Sequence, residues 1–577
     1  MPPLPGHGRL PCPAVEPTAQ SPRSSRSPLR RYLPFLAGVV VLAIVIAAIN
    51  LSSSDSKKSA PSSTTGPAGA AAGPVTLTAA NRNSVNWGRQ CDAARGTVAV
   101  PLTYAPPCVK PFTGDNGGAT SPGVTADSIT VALYQAQPDI LQQAALNRSG
   151  SDASLADEAE TVRQYIAFFE SHYETYGRKV NLVVVKASGA PDDDAAARAD
   201  AIKVATEIKA FASFGGPGET EAYAQELAAR NVLCLGDCML ASSQKFVDQR
   251  APHIWLTLPA VDQSAVHWAN FVSRQLAHRP ARYAGDSAMT KQPRVFGLVR
   301  FDESFANFQQ AGKSFVGLLR NEGLRLAVDA PYQLDLAKAQ ENARNTIAKL
   351  KAAHVTTVLF AGDPLTPTSL TVEATAQRYF PEWVVLGAAY SDTSLFGRTY
   401  DPQQWKHAFG VSSLYVPTPQ RLDQYSSILE WQTGNLPKAK TYKILVQAPL
   451  IFYTALHLAG PKLTPETFRD GLFRFPSQAT APSQIHFSWG HQGIWPGTDY
   501  FGADDATLIW WNPTAKGTDE LGNEGTGMWE FADGGKRYLP KDWPTSPPRL
   551  FQPATSVTGF ATFPAGQGPP SYPSPAK

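Results

Sequence analysis

Enzymatic chemistry in a chain of 577 residues would need a nucleophile beside a base, a metal set or a cofactor loop. No Gly-x-Ser-x-Gly turn presents a nucleophilic serine. Ala311-Gly312-Lys313-Ser314 ends like a phosphate-binding loop, but Asn307 stands where its first glycine belongs, inside a helical pattern. Asp192, Asp193 and Asp194 could gather a cation. They equally suit a helix start, whose exposed N–H groups favour carboxylates, and a helical stretch follows them. Cys234-x-x-x-Cys238 lacks a nearby histidine to complete a zinc set. Gly215-Gly216-Pro217-Gly218 precedes a helix and could offer backbone N–H groups to an anion. His253, His267, His354 and His457 sit in or beside regular elements and read as structural. Trp489, Trp495, Trp510, Trp511 and Trp529 could stack on a flat ligand, though packing is their simpler use. No catalytic residue, metal site or cofactor is expected from these, and the polar residues at strand ends become the candidates for binding.

The elements that would position them are clearest from Arg294 to Thr393. Short apolar strands at Val295–Val299, Leu324–Val328, Val358–Phe360 and Trp383–Gly387 alternate with helical patterns. That alternation predicts βαβ units and a parallel sheet covered on both faces. An earlier run repeats it, with strands at Ile129–Tyr134, Val180–Val185, the stretch ending at Gly216, and Leu233–Gly236. Helices are expected at Leu155–Tyr176, from Pro191–Asp194 to about Lys209, and at Glu219–Arg230. Pro252–Gln263 reads as a link, Ser264–Ala277 as a helix and Ala408–Pro419 as a second link. Two runs of parallel units joined by links make a two-lobed body. Parallel sheets bind ligands at the carboxyl ends of their strands. Glu219, Thr220, Asp237, Ser304, Asp363 and Tyr390 fall at or just after such ends, with Thr220 and Ser304 also suited to capping helices.

Composition sets the surroundings. Hydrophobic content of 43% is that of a globular protein, and a net charge of +3 predicts no nucleic-acid partner. Residues 1–31 read as a disordered cytoplasmic tail. Tyr32–Leu51 is apolar and long enough to span a bilayer, and Arg23, Arg26, Arg30 and Arg31 before it place the N-terminus inside. A cleaved signal peptide is the rival reading, but the nearest small-residue site, Ala68-Gly69-Ala70, lies far downstream. A single-pass membrane protein with an extracytoplasmic body is expected. Cys12 lies before the span, and Cys91, Cys108, Cys234 and Cys238 lie beyond it. Four cysteines in an oxidising compartment allow three pairings, of which Cys91–Cys108 with Cys234–Cys238 closes two local loops and is the simplest.

The order of these stretches resembles the type I periplasmic-binding-protein fold, in the branched-chain amino-acid-binding (Leu/Ile/Val-binding-like) family of ABC-transporter substrate-binding proteins. GVTADSITVALY, FGGPGETEAYAQELAARNVLCL, HIWLTLPAVDQS, RVFGLVRFDESFANFQQAG and WVVLGAAYSDTSLF carry it, over roughly Gly123 to Phe551. The resemblance implies an α/β fold of two Rossmann-like lobes, here behind a transmembrane helix. It implies a first lobe over 123–258 completed by 411–480, and a second over 259–410 completed by 481–551. Residues 52–122 would be a linker and Cys-braced irregular segment, and 552–577 a disordered Pro-rich tail. The ligand would lie between the lobes, which adds Gln135, Phe305 and Asp392 to the candidates above. The serine/threonine loop with which relatives hold a carboxylate here reads GPGET. The acidic residue that pairs an ammonium would fall at or beside Ala389 and Tyr390. The expectation is therefore a solute-binding protein for a small polar ligand, serving uptake through an ABC-transporter permease or sensing. The alternatives are a hydrolase on the same scaffold and a scaffold whose cleft is empty.

Overall fold

A computed structural model of the chain describes residues 73–138, 154–236, 238–303 and 307–576. Among them no helix is long and apolar enough to cross a membrane, and Tyr32–Leu51 lies outside them.

A small hairpin opens the described body, β1 (Cys91–Asp92) against β2 (Thr97–Val98), braced by the Cys91–Cys108 disulfide. Val98, Val100, Leu102 and Tyr104 run inward from it and are buried in the first core. The first sheet follows: β3 (Ser128–Gln135), β4 (Lys179–Lys186), β5 (Ala212–Phe214), β6 (Leu233–Leu235) and β7 (Ile254–Trp255). All its pairings are parallel, in the order β4-β3-β5-β6-β7. The helices between strands start where the sequence provides caps. Ser154 and Asp157 form a capping box before Leu155–His172, and the Asp193 side chain accepts from Ala195 N and Ala196 N before Asp194–Thr206. The acidic run is thus a helix start. Helix Gln447–Ala459 is buried nearly all round and helix Pro465–Phe473 begins on the Thr464 cap; both pack into this same core.

The second sheet contains β8 (Phe296–Phe301), β9 (Val328–Tyr332), β10 (Thr357–Ala361), β11 (Glu382–Val385), β12 (Ala408–Ser412), β13 (Ala506–Thr518), β14 (Glu524–Phe531) and β15 (Arg537–Tyr538). Five strands run parallel in the order β9-β8-β10-β11-β12, and β13, β14 and β15 extend the sheet antiparallel. Three expectations change here. β9 begins only at Val328, the last residue of the Leu324–Val328 run, and contains Pro331, which an edge strand tolerates because one side of its backbone has no ladder to complete. Ala408–Ser412 is a strand between β11 and β13, and the link begins only after Ser412. The helix expected from Ser264 starts at Val261 and turns into a π-helical segment at Phe271–Leu276.

The chain crosses between the lobes three times: at Ala260/Val261, between Val416 and Tyr425, and between Ala503 and Ala506. The last crossing falls well beyond residue 481. Phe487, Trp489, Tyr500 and Phe501 belong to the first core, where Leu256 pairs with Phe501 and Phe487 with Ala503. Trp510, Trp511 and Trp529 pack within the second lobe. Residues 552–576, expected as a disordered tail, return along the body. Val557 exchanges two backbone hydrogen bonds with Phe531, Trp431 Nε1 donates to Tyr572 O, and the Tyr572 hydroxyl donates to Asp92. Prolines leave carbonyls and ring faces available, and these contacts suffice to order the segment.

Candidate functional site

Both parallel sheets share one strand order, second-first-third-fourth-fifth. In such sheets the crevice opens where the order reverses, at the carboxyl ends. The reversal lies between β3 and β5 in the first lobe, and between β8 and β10 in the second. Gln135 and Gly215–Thr220 sit at the first, Asp302, Glu303 and Asp363 at the second.

The first rim is built tightly. The loop after β5 runs beside the loop after β6, with Gly218 bridged to Met239 and Leu240 N donating to Gly218 O at 2.8 Å. A Cβ on Gly216 would lie 2.6 Å from Cys238 O, so only glycine permits this approach. The Cys234–Cys238 disulfide ties the end of β6 to the same loop. The Thr220 hydroxyl accepts from Ala222 N at 3.0 Å and donates to Asp194. Thr220 thus holds the first N–H of helix Ala222–Ala229, and Glu219 beside it is half-buried. Gln135 Nε2 donates to Leu155 O at 2.6 Å and fixes the start of the following helix.

On the second lobe, Asp363 is fully buried. Its carboxylate accepts from Leu365 N (2.7 Å), Thr366 N (2.9 Å), the Thr366 hydroxyl (2.7 Å) and the Tyr332 hydroxyl (2.6 Å). Those four bonds match its acceptor capacity, and two of them hold the backbone N–H groups at the start of the helix after β10. Ala389 and Tyr390 are both left-handed, with φ of 44° and 66°, a costly conformation for residues with a Cβ. Ser391 and Thr393 donate back to Ala388 O and Tyr390 O and hold the turn, which leaves Tyr390 exposed at the rim. Asp237, Ser304 and Phe305 lie outside the described residues.

Asp392 is buried and accepts from the Ser412 hydroxyl at 2.5 Å. Burial pushes its pKa up from 3.8 to about 6, against the Ser412 bond, which lowers it. The folded protein therefore holds this proton where the unfolded chain has lost it. The resulting stability is full below pH 3.8 and disappears as pH rises through 6. Asp392→Asn stays neutral and keeps an acceptor for Ser412. Between pH 4 and pH 7.5 its stability relative to wild type should rise by roughly 2.5 kcal/mol. Urea unfolding at both pH values measures the difference, and a pH-independent gap would show that Asp392 does not carry it.

Two residues that sequence patterns did not bring forward join the rims. Asn307 Nδ2 donates across the lobes to Glu221 Oε1 at 2.7 Å, and Ser242 Oγ donates to the same carboxylate oxygen at 3.1 Å. Asn307 opens helix Phe308–Asn321 with φ of 56°, a left-handed state that asparagine tolerates. Its side chain does not cap its own helix and reaches the other lobe instead. Closer to the first crossing, Asp262 accepts from Gln244 N on one lobe and from Ser314 Oγ on the other. The rims can therefore meet through neutral donors and carboxylates.

No family model matches the sequence, and no curated protein matches it. Solved structures do resemble it. A solute-binding protein of an ABC transporter from R. palustris, in complex with 4-hydroxybenzoate, is 13% identical, with a TM-score of 0.47, covering 70% of this chain and 97% of its own. A branched-chain amino acid transporter substrate-binding protein from Streptococcus pneumoniae, in complex with isoleucine, is 11% identical, with a TM-score of 0.45, covering 70% and 100%. A fatty acid ABC transporter substrate-binding protein from Thermomonospora curvata is 14% identical, with a TM-score of 0.47, covering 75% and 99%.

Proposed function

We propose that this chain is an extracytoplasmic solute-binding protein that captures a small polar ligand between its two lobes, for ABC-type uptake or sensing. The observation that carries the reading is the meeting of two switch-point rims, one from each lobe, through Asn307 and Glu221. Two lobes joined by three crossings can hinge, and loops that touch when closed can trap a ligand laid between them. Attachment to the membrane through Tyr32–Leu51 is supported by the length of that apolar run and the four arginines before it. An ABC-transporter permease is the partner such a protein would serve. Binding and release need no covalent step, so the reading asks for no catalytic residue or cofactor.

A thermal-shift screen against amino acids, aromatic acids and other small metabolites tests it. One chemical class should raise the melting temperature with dose, since a ligand at a hundred times its Kd adds about 2.7 kcal/mol. Asn307→Asp sets a second carboxylate beside Glu221, so it should open the lobes and weaken that ligand by about 1–3 kcal/mol. A screen with no stabilising compound, together with an unchanged radius of gyration for Asn307→Asp, would leave the cleft as an empty scaffold.

A further inference from the structure

We propose that Ser477, His486 and Asp504 form a nucleophile, base and orienting carboxylate that hydrolyse small activated esters, at a site separate from the interlobe cleft. The placement follows from the fold. Phe487 and Ala503 face each other in an antiparallel bridge, and Asp504 N donates to His486 O at 3.0 Å. His486 and Asp504 are thus cross-strand neighbours whose side chains share one face. Ser477 reaches them from the segment after helix Pro465–Phe473. His486 Nδ1 donates to Asp504 Oδ2 at 2.8 Å, and His486 Nε2 lies 3.0 Å from Ser477 Oγ. With Nδ1 protonated toward the carboxylate, Nε2 is left as the acceptor for the serine proton.

The rest of the setting matches those roles. Asp504 is fully buried and His486 is 2% exposed, whereas Ser477 is exposed. Asp504 is fixed further by Ser488 Oγ, which donates to Oδ2 at 2.6 Å, and by Trp495 Nε1, which donates to Oδ1 at 2.7 Å. His486 N donates to Asp505 Oδ1 at 3.1 Å, so the backbone carrying the imidazole is held as well. A rigid base with its orienting group below it and a solvent-facing hydroxyl above it is the geometry that nucleophilic acyl transfer requires, and such sets are recognised by geometry and not by sequence order.

In the reaction, Ser477 Oγ attacks the ester carbonyl and its proton passes to His486 Nε2. The bond from carbonyl carbon to alcohol oxygen breaks, and the leaving alkoxide takes that proton. Water then gives a proton to His486 Nε2 and attacks the acyl-serine. The acyl–Oγ bond breaks, the proton returns to Ser477, and a carboxylic acid leaves. The sum is ester plus water to acid plus alcohol.

The test uses the full-length chain with 4-nitrophenyl acetate and a fluorophosphonate probe. Wild type should carry the probe on the peptide containing Ser477 and turn over the ester above the buffer rate. Ser477→Ala alters an exposed side chain and should retain the wild-type melting curve, yet lose the adduct and at least 100-fold of the enzymatic rate. His486→Gln should lose labelling to a similar degree. Absence of an adduct on Ser477 in wild type would overturn the proposal. So would wild-type turnover in Ser477→Ala, or wild-type labelling in His486→Gln. Each readout is independent of whether the cleft binds a solute.

Discussion

Arg537→Met is expected to lower the unfolding free energy by about 3–5 kcal/mol, the loss that follows when one partner of a buried ion pair is removed. Arg537 and Asp505 have side chains that are 0% exposed. The guanidinium meets the carboxylate with two parallel bonds, Nε to Oδ2 and Nη2 to Oδ1, both at 2.8 Å. Its remaining N–H groups donate to Leu414 O at 2.6 Å and Ser413 O at 2.9 Å. Asp505 sits at the third crossing between the lobes, and Ser413 and Leu414 lie just before the second. One planar cation therefore fastens two hinge strands, and its five donors in a fixed fork suit that task. Methionine fills similar space but leaves the buried Asp505 carboxylate with only the His486 N–H as a donor, and two buried carbonyls without theirs. The double variant Arg537→Met/Asp505→Leu removes the stranded charge and should recover much of the loss. Guanidinium unfolding of the three proteins measures this. A loss under about 1 kcal/mol in Arg537→Met, the range of an exposed pair, would mean that water reaches Asp505 and that the pair does not hold the crossings.

What could be read from the sequence was local. Apolar runs marked β8, β10 and β11 to within a residue or two, because a parallel strand buried on both faces must be apolar along its length. The acidic run Asp192–Asp194 marks a helix start, because a cap and the N–H groups it satisfies lie within three residues. The simplest pairing of Cys91, Cys108, Cys234 and Cys238 is the one formed. What was not legible depends on distance along the chain. Asn307 and Glu221 are 86 residues apart, and Arg537 and Asp505 are 32 apart. No spacing rule links such pairs. β9 lies later than the pattern indicates because Leu324–Val328 carries the apolar signal while the paired edge contains a proline. The third crossing was placed too early because the aromatic residues from Phe487 to Phe501 suit either core and are assigned only by their strand partners. Ser477, His486 and Asp504 lie close together in the chain, yet only the Phe487–Ala503 bridge places the histidine on the carboxylate.

Asp363 shows the same limit with a reversed consequence. From sequence, an aspartate just past a strand in the second lobe reads as a ligand contact whose removal would weaken binding and spare stability. The structure gives the opposite expectation. Tyr332, 31 residues earlier, donates its hydroxyl to Asp363, and a Cβ on Gly362 would lie 2.1 Å from that hydroxyl oxygen, so glycine and tyrosine are fitted to one another. Asp363→Ala would leave the Tyr332 hydroxyl, the Thr366 hydroxyl and the N–H groups of Leu365 and Thr366 without their acceptor, beside a helix that loses its cap. Buried donors left without partners cost about 1–3 kcal/mol each where water cannot reach them. Part of this will be relieved by rearrangement, so a net loss of about 3 kcal/mol is expected. Asp363→Asn retains one acceptor oxygen and should lose roughly half as much. Urea unfolding gives the two values, and isothermal titration of the folded fraction gives affinity for whichever solute the screen identifies. Unchanged affinity with lowered stability is the expected pair of results. Wild-type stability with weakened binding would instead return Asp363 to the ligand.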